Sequence, residues 1–123
     1  MKNARQILDS SISEQALEDA VVNIAHLFGW QVAGFRPGRV TRRGQETYET
    51  PVKYDGKGFV DLILVRRRDH RPGRIIFVEL KSEIGRPSLE QIEWGETLLK
   101  AGAEVYCWRP SDWSSGEIER VLL

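Results

Sequence analysis

Two short apolar runs stand in tandem near the middle of the chain. They are Gly58-Phe59-Val60-Asp61-Leu62-Ile63-Leu64-Val65 and Arg74-Ile75-Ile76-Phe77-Val78-Glu79-Leu80-Lys81, joined by a basic segment from Arg66 to Gly73. Val, Ile, Leu and Phe in short runs bounded by Gly and Pro predict strands. The short link between them predicts a hairpin. Each run also carries charge where a buried strand should be apolar: Asp61 at the start of the first, Glu79 and Lys81 at the end of the second. Successive side chains of a strand point to opposite faces, so Glu79 and Lys81 share a face and Leu80 takes the other. Hairpin pairing brings Asp61 to the same end. Two carboxylates and one ammonium then converge.

That convergence has a chemical use. Hard carboxylate oxygens hold Mg²⁺, which keeps several waters. A lysine beside them can orient a water or stabilise charge on a phosphate. An isolated Glu-x-Lys is in most chains a surface ion pair of little energetic weight. Here the strongly apolar flanks and the separate Asp in the preceding strand favour the functional reading.

A chain of 123 residues is expected to form a single domain, 1–123. Its 18 basic and 18 acidic residues balance, so net charge gives no sign of a nucleic-acid partner. The distribution does. Arg36, Arg39, Arg42 and Arg43 fall together, as do Arg66, Arg67, Arg68, Arg71 and Arg74, and local clustering matters more than net charge for a phosphate footprint. Cys107 is the one cysteine, which excludes an intramolecular disulfide; lying in an apolar run, it is expected in the core. No Cys/His set has zinc spacing. Without a membrane-length apolar run or a signal-peptide pattern, a soluble, intracellular protein is expected.

Along the chain, residues 1–12 are a lead with no clear pattern. Ser13 predicts a helix N-cap, and Leu17, Ala20, Val21, Ile24, Leu27 and Phe28 recur at helical spacing up to Gly29. Glu14 and Glu18 stand one turn apart beside that stripe; ordinary solvated helix charge is the competing reading for both. Trp30 to Phe35 predicts a strand. Residues 36–57 predict a long polar loop, with Lys53 and Lys57 among its arginines and Tyr48 and Tyr54 interleaved, a composition suited to nucleic acid. Ser88 predicts the cap of a helix whose apolar face is Leu89, Ile92, Leu98 and Leu99, ending at Gly102. Glu104 to Trp108 predicts a fourth strand, stopped by Pro110, and Ser114 or Ser115 a cap for a last short helix. A helix between the third and fourth strands permits a parallel crossover. The predicted class is α/β, a mixed four-stranded sheet flanked by helices.

At this point the residues carry a resemblance. Gly58-Phe59-Val60-Asp61-Leu62 resembles the G-F-P-D-L signature, and Val78-Glu79-Leu80-Lys81 the V-E-L-K core, of the stand-alone VRR-NUC domains of the PD-(D/E)XK nuclease superfamily. Leu27-Phe28-Gly29-Trp30, Ser88-Leu89-Glu90-Gln91 and Val105-Tyr106-Cys107-Trp108-Arg109-Pro110 follow that family's order, so the likeness spans roughly 13–113. It implies a restriction-endonuclease-like core and a Mg²⁺- or Mn²⁺-dependent endonuclease. Asp61 and Glu79 would bind the metal, with the Leu80 carbonyl as a further ligand. Lys81 would position the attacking water, and Gln91 would point into the site from the later helix. An acid of the first helix would complete the set: Glu18 occupies that place in related resolvases, with Glu14 as rival or helper. Val60 departs from the usual proline, a backbone-shaping residue without chemistry.

The resemblance further implies a homodimer acting on branched DNA such as a Holliday junction, whose two-fold symmetry suits paired sites. Flap, nick, repair or restriction cleavage would use the same residues, and a non-catalytic DNA-binding module would need only the basic loops. Arg36, Arg39, Arg42, Arg43 and Lys53 are the expected phosphate contacts. Replacing Arg39, Arg42 and Arg43 with alanine should flatten the salt dependence of DNA affinity by up to about one unit of slope per contact. An unaltered slope in a salt titration would take this segment out of the footprint.

Overall fold

A computed structural model describes all residues but 37, 50 and 51, with side chains left aside at 38–42 and 46–49. The chain runs α1 (Ala4–Ser11), α2 (Glu14–Leu27), β1 (Gln31–Gly34), β2 (Gly38–Arg42), β3 (Gln45–Glu49), β4 (Leu62–Arg66), β5 (Arg74–Leu80), α3 (Leu89–Lys100), β6 (Glu104–Trp108), α4 (Pro110–Ser114) and α5 (Glu117–Leu122). One mixed sheet has the order β1-β4-β5-β6, and β2 and β3 form a separate pair. β4 pairs antiparallel with β1 and β5, and β6 runs parallel to β5 after the α3 crossover. The α/β class, the central hairpin and the mixed four-stranded sheet are as the sequence predicts.

Alternation sorts the sheet into two faces. Leu62 and Leu64 of β4, Ile76, Val78 and Leu80 of β5 and Trp108 of β6 are buried on one face, where Leu17, Val21 and Ala25 of α2 and Ile118 and Leu122 of α5 complete the core. The second face carries Ile63, Phe77, Glu79, Val105 and Cys107, register neighbours across β4, β5 and β6. Beside it Phe59 packs edge-on against Phe35, Phe77 and Trp94 of α3. The acids therefore sit on the face that α3, rather than the main core, borders.

Several expectations are corrected. The lead is helix α1: Asn3 accepts from the Gln6 amide and the Gln6 side chain answers the Asn3 amide, closing a capping box that eight residues of weak periodicity did not announce. Within the expected 36–57 loop lies the β2–β3 hairpin. Arg42 pairs with Gln45 around a two-residue turn, and Arg43 (φ 52°) and Gly44 (φ 75°) supply the left-handed pair that such a turn requires. α3 buries no residue, and Leu89, Ile92 and Leu99 of its expected inward face are exposed. Leu27 is exposed too, with Ala25 taking its place in the stripe. Cys107 faces outward instead of into the core. Pro110 starts an unforeseen helix α4, and Gly116, not Ser114 or Ser115, is the N-cap of α5.

The second basic cluster is also reassigned in part. Arg66 donates to the carbonyls of Phe28 (3.3 Å), Leu122 (2.9 Å) and Leu123 (3.2 Å). Arg74 donates to the Val121 carbonyl at 2.8 Å and pairs with Glu104. Both guanidiniums lie over the Trp30 ring, at 4.6 and 5.2 Å, and the Trp30 indole donates to the Leu122 carbonyl at 2.9 Å. These two arginines bind the last helix to the sheet.

Gly58 sets the second face. At φ +82° a Cβ there would lie 2.5 Å from Glu90 Cβ and 2.8 Å from the Gln91 nitrogen. Both are backbone-held parts of the first turn of α3, so they cannot swing aside. Gly58→Ala combines a disfavoured backbone with a clash and should cost about 1–3 kcal/mol. Urea denaturation checks this, and an unchanged midpoint would show that the approach is not needed.

Candidate active site

Asp61 immediately precedes β4, and its Oδ2 accepts the Leu80 amide hydrogen at 2.8 Å. Its own amide donates to the Val78 carbonyl at 3.0 Å, continuing the β4–β5 ladder past the last strand pair. The next residue along β5 is Glu79, so the two carboxyls fall side by side on the second face. Glu79 is only 8% exposed. Its Oε1 accepts from Gln91 Nε2 at 2.8 Å and lies 3.8 Å from Lys81 Nζ. Gln91 is doubly engaged, because its Oε1 also accepts the Ser88 amide at 2.8 Å and so closes the cap of α3. The cap of one helix thereby aims a carboxylate on the neighbouring strand.

Helix α2 supplies the other acids. Glu14 Oε1 accepts the Ser82 amide at 3.3 Å, just past Lys81. Arg36, arriving after β1, donates from Nη1 to Glu14 at 3.0 Å and sets its Nε 3.4 Å from Glu18. The turn after Lys81 is fixed from below by Arg109, which donates to the carbonyls of Ser82 (2.6 Å), Glu83 (3.2 Å) and Gly85 (2.7 Å). Arg109 is a positioning residue that the sequence reading did not single out. Its signal, an arginine after a strand, is too common to identify alone.

The electrostatics follow from crowding. Burial, then the charge of Asp61 and a hydrogen bond with it, pushes Glu79 up to about 8, against the pull of Lys81. Burial also raises Glu18, with Asp61 adding to the effect and Arg36 and Gln15 opposing it. Arg36 is pushed further up by Glu14, Asp61 and Glu18 in spite of its own burial. Glu18 is thus within the field of Asp61, and Glu14 within that of Glu79.

Of the sequence-predicted residues, Asp61, Glu79, Lys81 and Gln91 come together, and Glu14 and Glu18 reach the edge of the set through the Ser82 amide and Arg36. Leu80 joins them through its backbone, its side chain lying in the core. Arg36 is paired with Glu14 and lies against Glu18. Arg43 and Lys53 are exposed, while the Arg39 and Arg42 side chains lie outside the described residues. The set fits a divalent cation in its chemistry. Every donor is a hard oxygen, and buried carboxyls that repel each other are relieved by a cation between them. As they stand, among the described residues, no three His, Cys, Asp or Glu side chains are grouped to hold a metal ion. A separate concavity is bordered by Asp55, Lys57, Glu90, Glu93, Trp94 and Thr97 and includes none of Asp61, Glu79, Glu14 and Glu18.

Comparison with known proteins gave no match to a family model, a curated protein or a solved structure. The site therefore rests on its own geometry and on the sequence motifs.

Crowding has a measurable effect on stability. An unfolded glutamate ionises near 4.5, whereas folded Glu79 holds its proton to about 8. Its contribution is therefore fully present below 4.5 and lost as pH rises to about 8. Glu79→Gln does not titrate, so in EDTA its melting temperature should move above that of the wild type as pH rises through this window. A difference that stays flat with pH would show that Glu79 is not held against Asp61.

Proposed function

We propose that the chain is a divalent-cation-dependent DNA endonuclease on a restriction-endonuclease-like core, as its likeness to the VRR-NUC nucleases implies. One observation carries the reading: Glu79 is buried beside Asp61, with Lys81 two residues on and Gln91 holding one of its oxygens. Such an arrangement is electrostatically costly in the protein alone, and perturbed carboxyls in this pattern mark functional sites.

Asp61, Glu79 and the Leu80 carbonyl would hold Mg²⁺ or Mn²⁺. The cation would polarise the phosphodiester and lower the pKa of water. Gln91 keeps the Glu79 carboxylate turned toward Asp61. Lys81 would orient the attacking water and stabilise charge gathering on the phosphate, without forming a covalent bond to it. Glu18 would complete the acids from α2, with Glu14 as helper. The attacking oxygen displaces one ester oxygen of phosphorus, leaving a phosphate monoester and a hydroxyl.

Branched DNA is the proposed substrate, and a homodimer the proposed assembly. The exposed Leu89, Ile92 and Leu99 on a helix that buries nothing support a further protein surface there. Flap, nick, repair or restriction cleavage would draw on the same side chains. A purely DNA-binding module would have no need of acids buried against each other. Among the described residues no helix is long and apolar enough to cross a membrane, which supports the proposed cytoplasmic setting.

The test is cleavage of labelled duplex, single-stranded, flap and four-way-junction DNA with Mg²⁺. Asp61→Asn and Glu79→Gln should abolish it with the fold intact. Lys81→Ala should lose about 10²–10³-fold in single-turnover rate while keeping DNA affinity in Ca²⁺. Glu18→Gln should lose more than Glu14→Gln. Full activity in Asp61→Asn would reject the site, and equal loss of binding and cleavage in Lys81→Ala would make Lys81 a DNA contact.

A further inference from the structure

Arg36 occupies a position that the proposed chemistry leaves unexplained. It enters from the segment leading into the β2–β3 hairpin and reaches both acids of α2, Glu14 at 3.0 Å and Glu18 at 3.4 Å. The three side chains are 20%, 32% and 15% exposed. The hold is incomplete, however. Arg36 Nε is buried and makes no hydrogen bond, its approach to Glu18 lacking the required alignment. Buried donors are rarely left so, and a guanidinium offers several further donors for a better partner. A phosphate is the partner that its planar fork matches.

We infer that Arg36 is the site's internal counter-cation, a positioning residue that holds the α2 acids in the cation-free protein and exchanges them for a DNA phosphate when a divalent cation loads. The inference rests on the proposed cation site and deepens it. Electrostatics favour the exchange: the charge of Asp61 acts on both Arg36 and Glu18, so a divalent charge at Asp61 and Glu79 repels the guanidinium. Released, Arg36 remains on the stem of a hairpin that carries Arg39, Arg42 and Arg43. Cation loading and DNA engagement thereby become linked equilibria, each strengthening the other.

The test combines two titrations on the whole chain. In the first, cation-free wild type, Arg36→Gln and Arg36→Lys are titrated calorimetrically with Mn²⁺. Arg36→Gln should bind about tenfold more tightly than wild type, and Arg36→Lys should stay near wild type because it keeps the charge. A merely structural role would weaken Mn²⁺ binding in both variants. In the second, affinity for a short DNA duplex is measured in EDTA and in Ca²⁺. Arg36→Gln should match wild type in EDTA and fall several-fold below it in Ca²⁺.

Equal or weaker Mn²⁺ binding by Arg36→Gln, while wild type binds, would overturn the exchange and leave the cation site standing. The same loss of DNA affinity with and without Ca²⁺ would overturn it as well, making Arg36 a fixed phosphate contact. Absence of Mn²⁺ binding by the wild type would remove the cation site and this inference together.

Discussion

The hydrogen bond from the Leu80 amide to Asp61 fixes more of this molecule than its 2.8 Å suggests. It extends the β4–β5 pairing by one residue through a side chain, so the ladder ends on a carboxylate. Strand alternation does the rest. With Leu62, Val78 and Leu80 committed to the core, Asp61 and Glu79 must emerge on the opposite face, and Lys81 with them. A one-residue slip would send the acids into the core. The hydrophobic face therefore specifies the polar site, and the energy that holds the acids together comes largely from apolar side chains on the other side of the sheet.

The second face is assembled by borrowed contacts. Gly58 lets the first turn of α3 approach to within backbone distance, Gln91 joins that turn to Glu79, and Arg109 ties the turn after Lys81 to the end of β6. Each link uses main-chain groups or a helix cap, elements with little freedom to rearrange. On the inference drawn above, the adjustable element is Arg36, whose guanidinium is long, charged and imperfectly satisfied. Rigid acids and one adjustable cation are what a site needs if its charge is to change while its geometry does not.

The legible parts of the fold were those written in local pattern. Apolar runs marked β4, β5 and β6, Ser13 and Ser88 capped their helices, and alternation placed Glu79 beside Lys81 on one face. Asp61 could be paired with them because a hairpin has one register that buries both apolar sets. The features that escaped depend on tertiary context. Arg66 and Arg74 look like a basic patch in sequence, yet Trp30 and the carbonyls of the last helix absorb them. Cys107 sits in an apolar run, but on the outward face of an edge strand. The β2–β3 hairpin has polar strands and an Arg-Gly turn, which give little periodicity to read. Arg36 belonged by composition to the outward cluster, and only the fold shows the acids turning it inward.

The Trp30 clamp has a bearing on how such a chain tolerates change. Arg66 and Arg74 are cross-strand partners at one end of the β4–β5 hairpin, and the acids lie at its other end, about 17 Å away at strand rise. Anchorage and chemistry thus occupy opposite poles of the same two strands. If the acids form the proposed site, substitutions around them would alter its chemistry while leaving the Trp30 anchorage in place. Drift at the clamp is penalised through abundance instead, since it releases the last helix from the sheet. Substitutions at the clamp should therefore be read out in the docking of the last helix, and those at the acids in the charge balance of the second face.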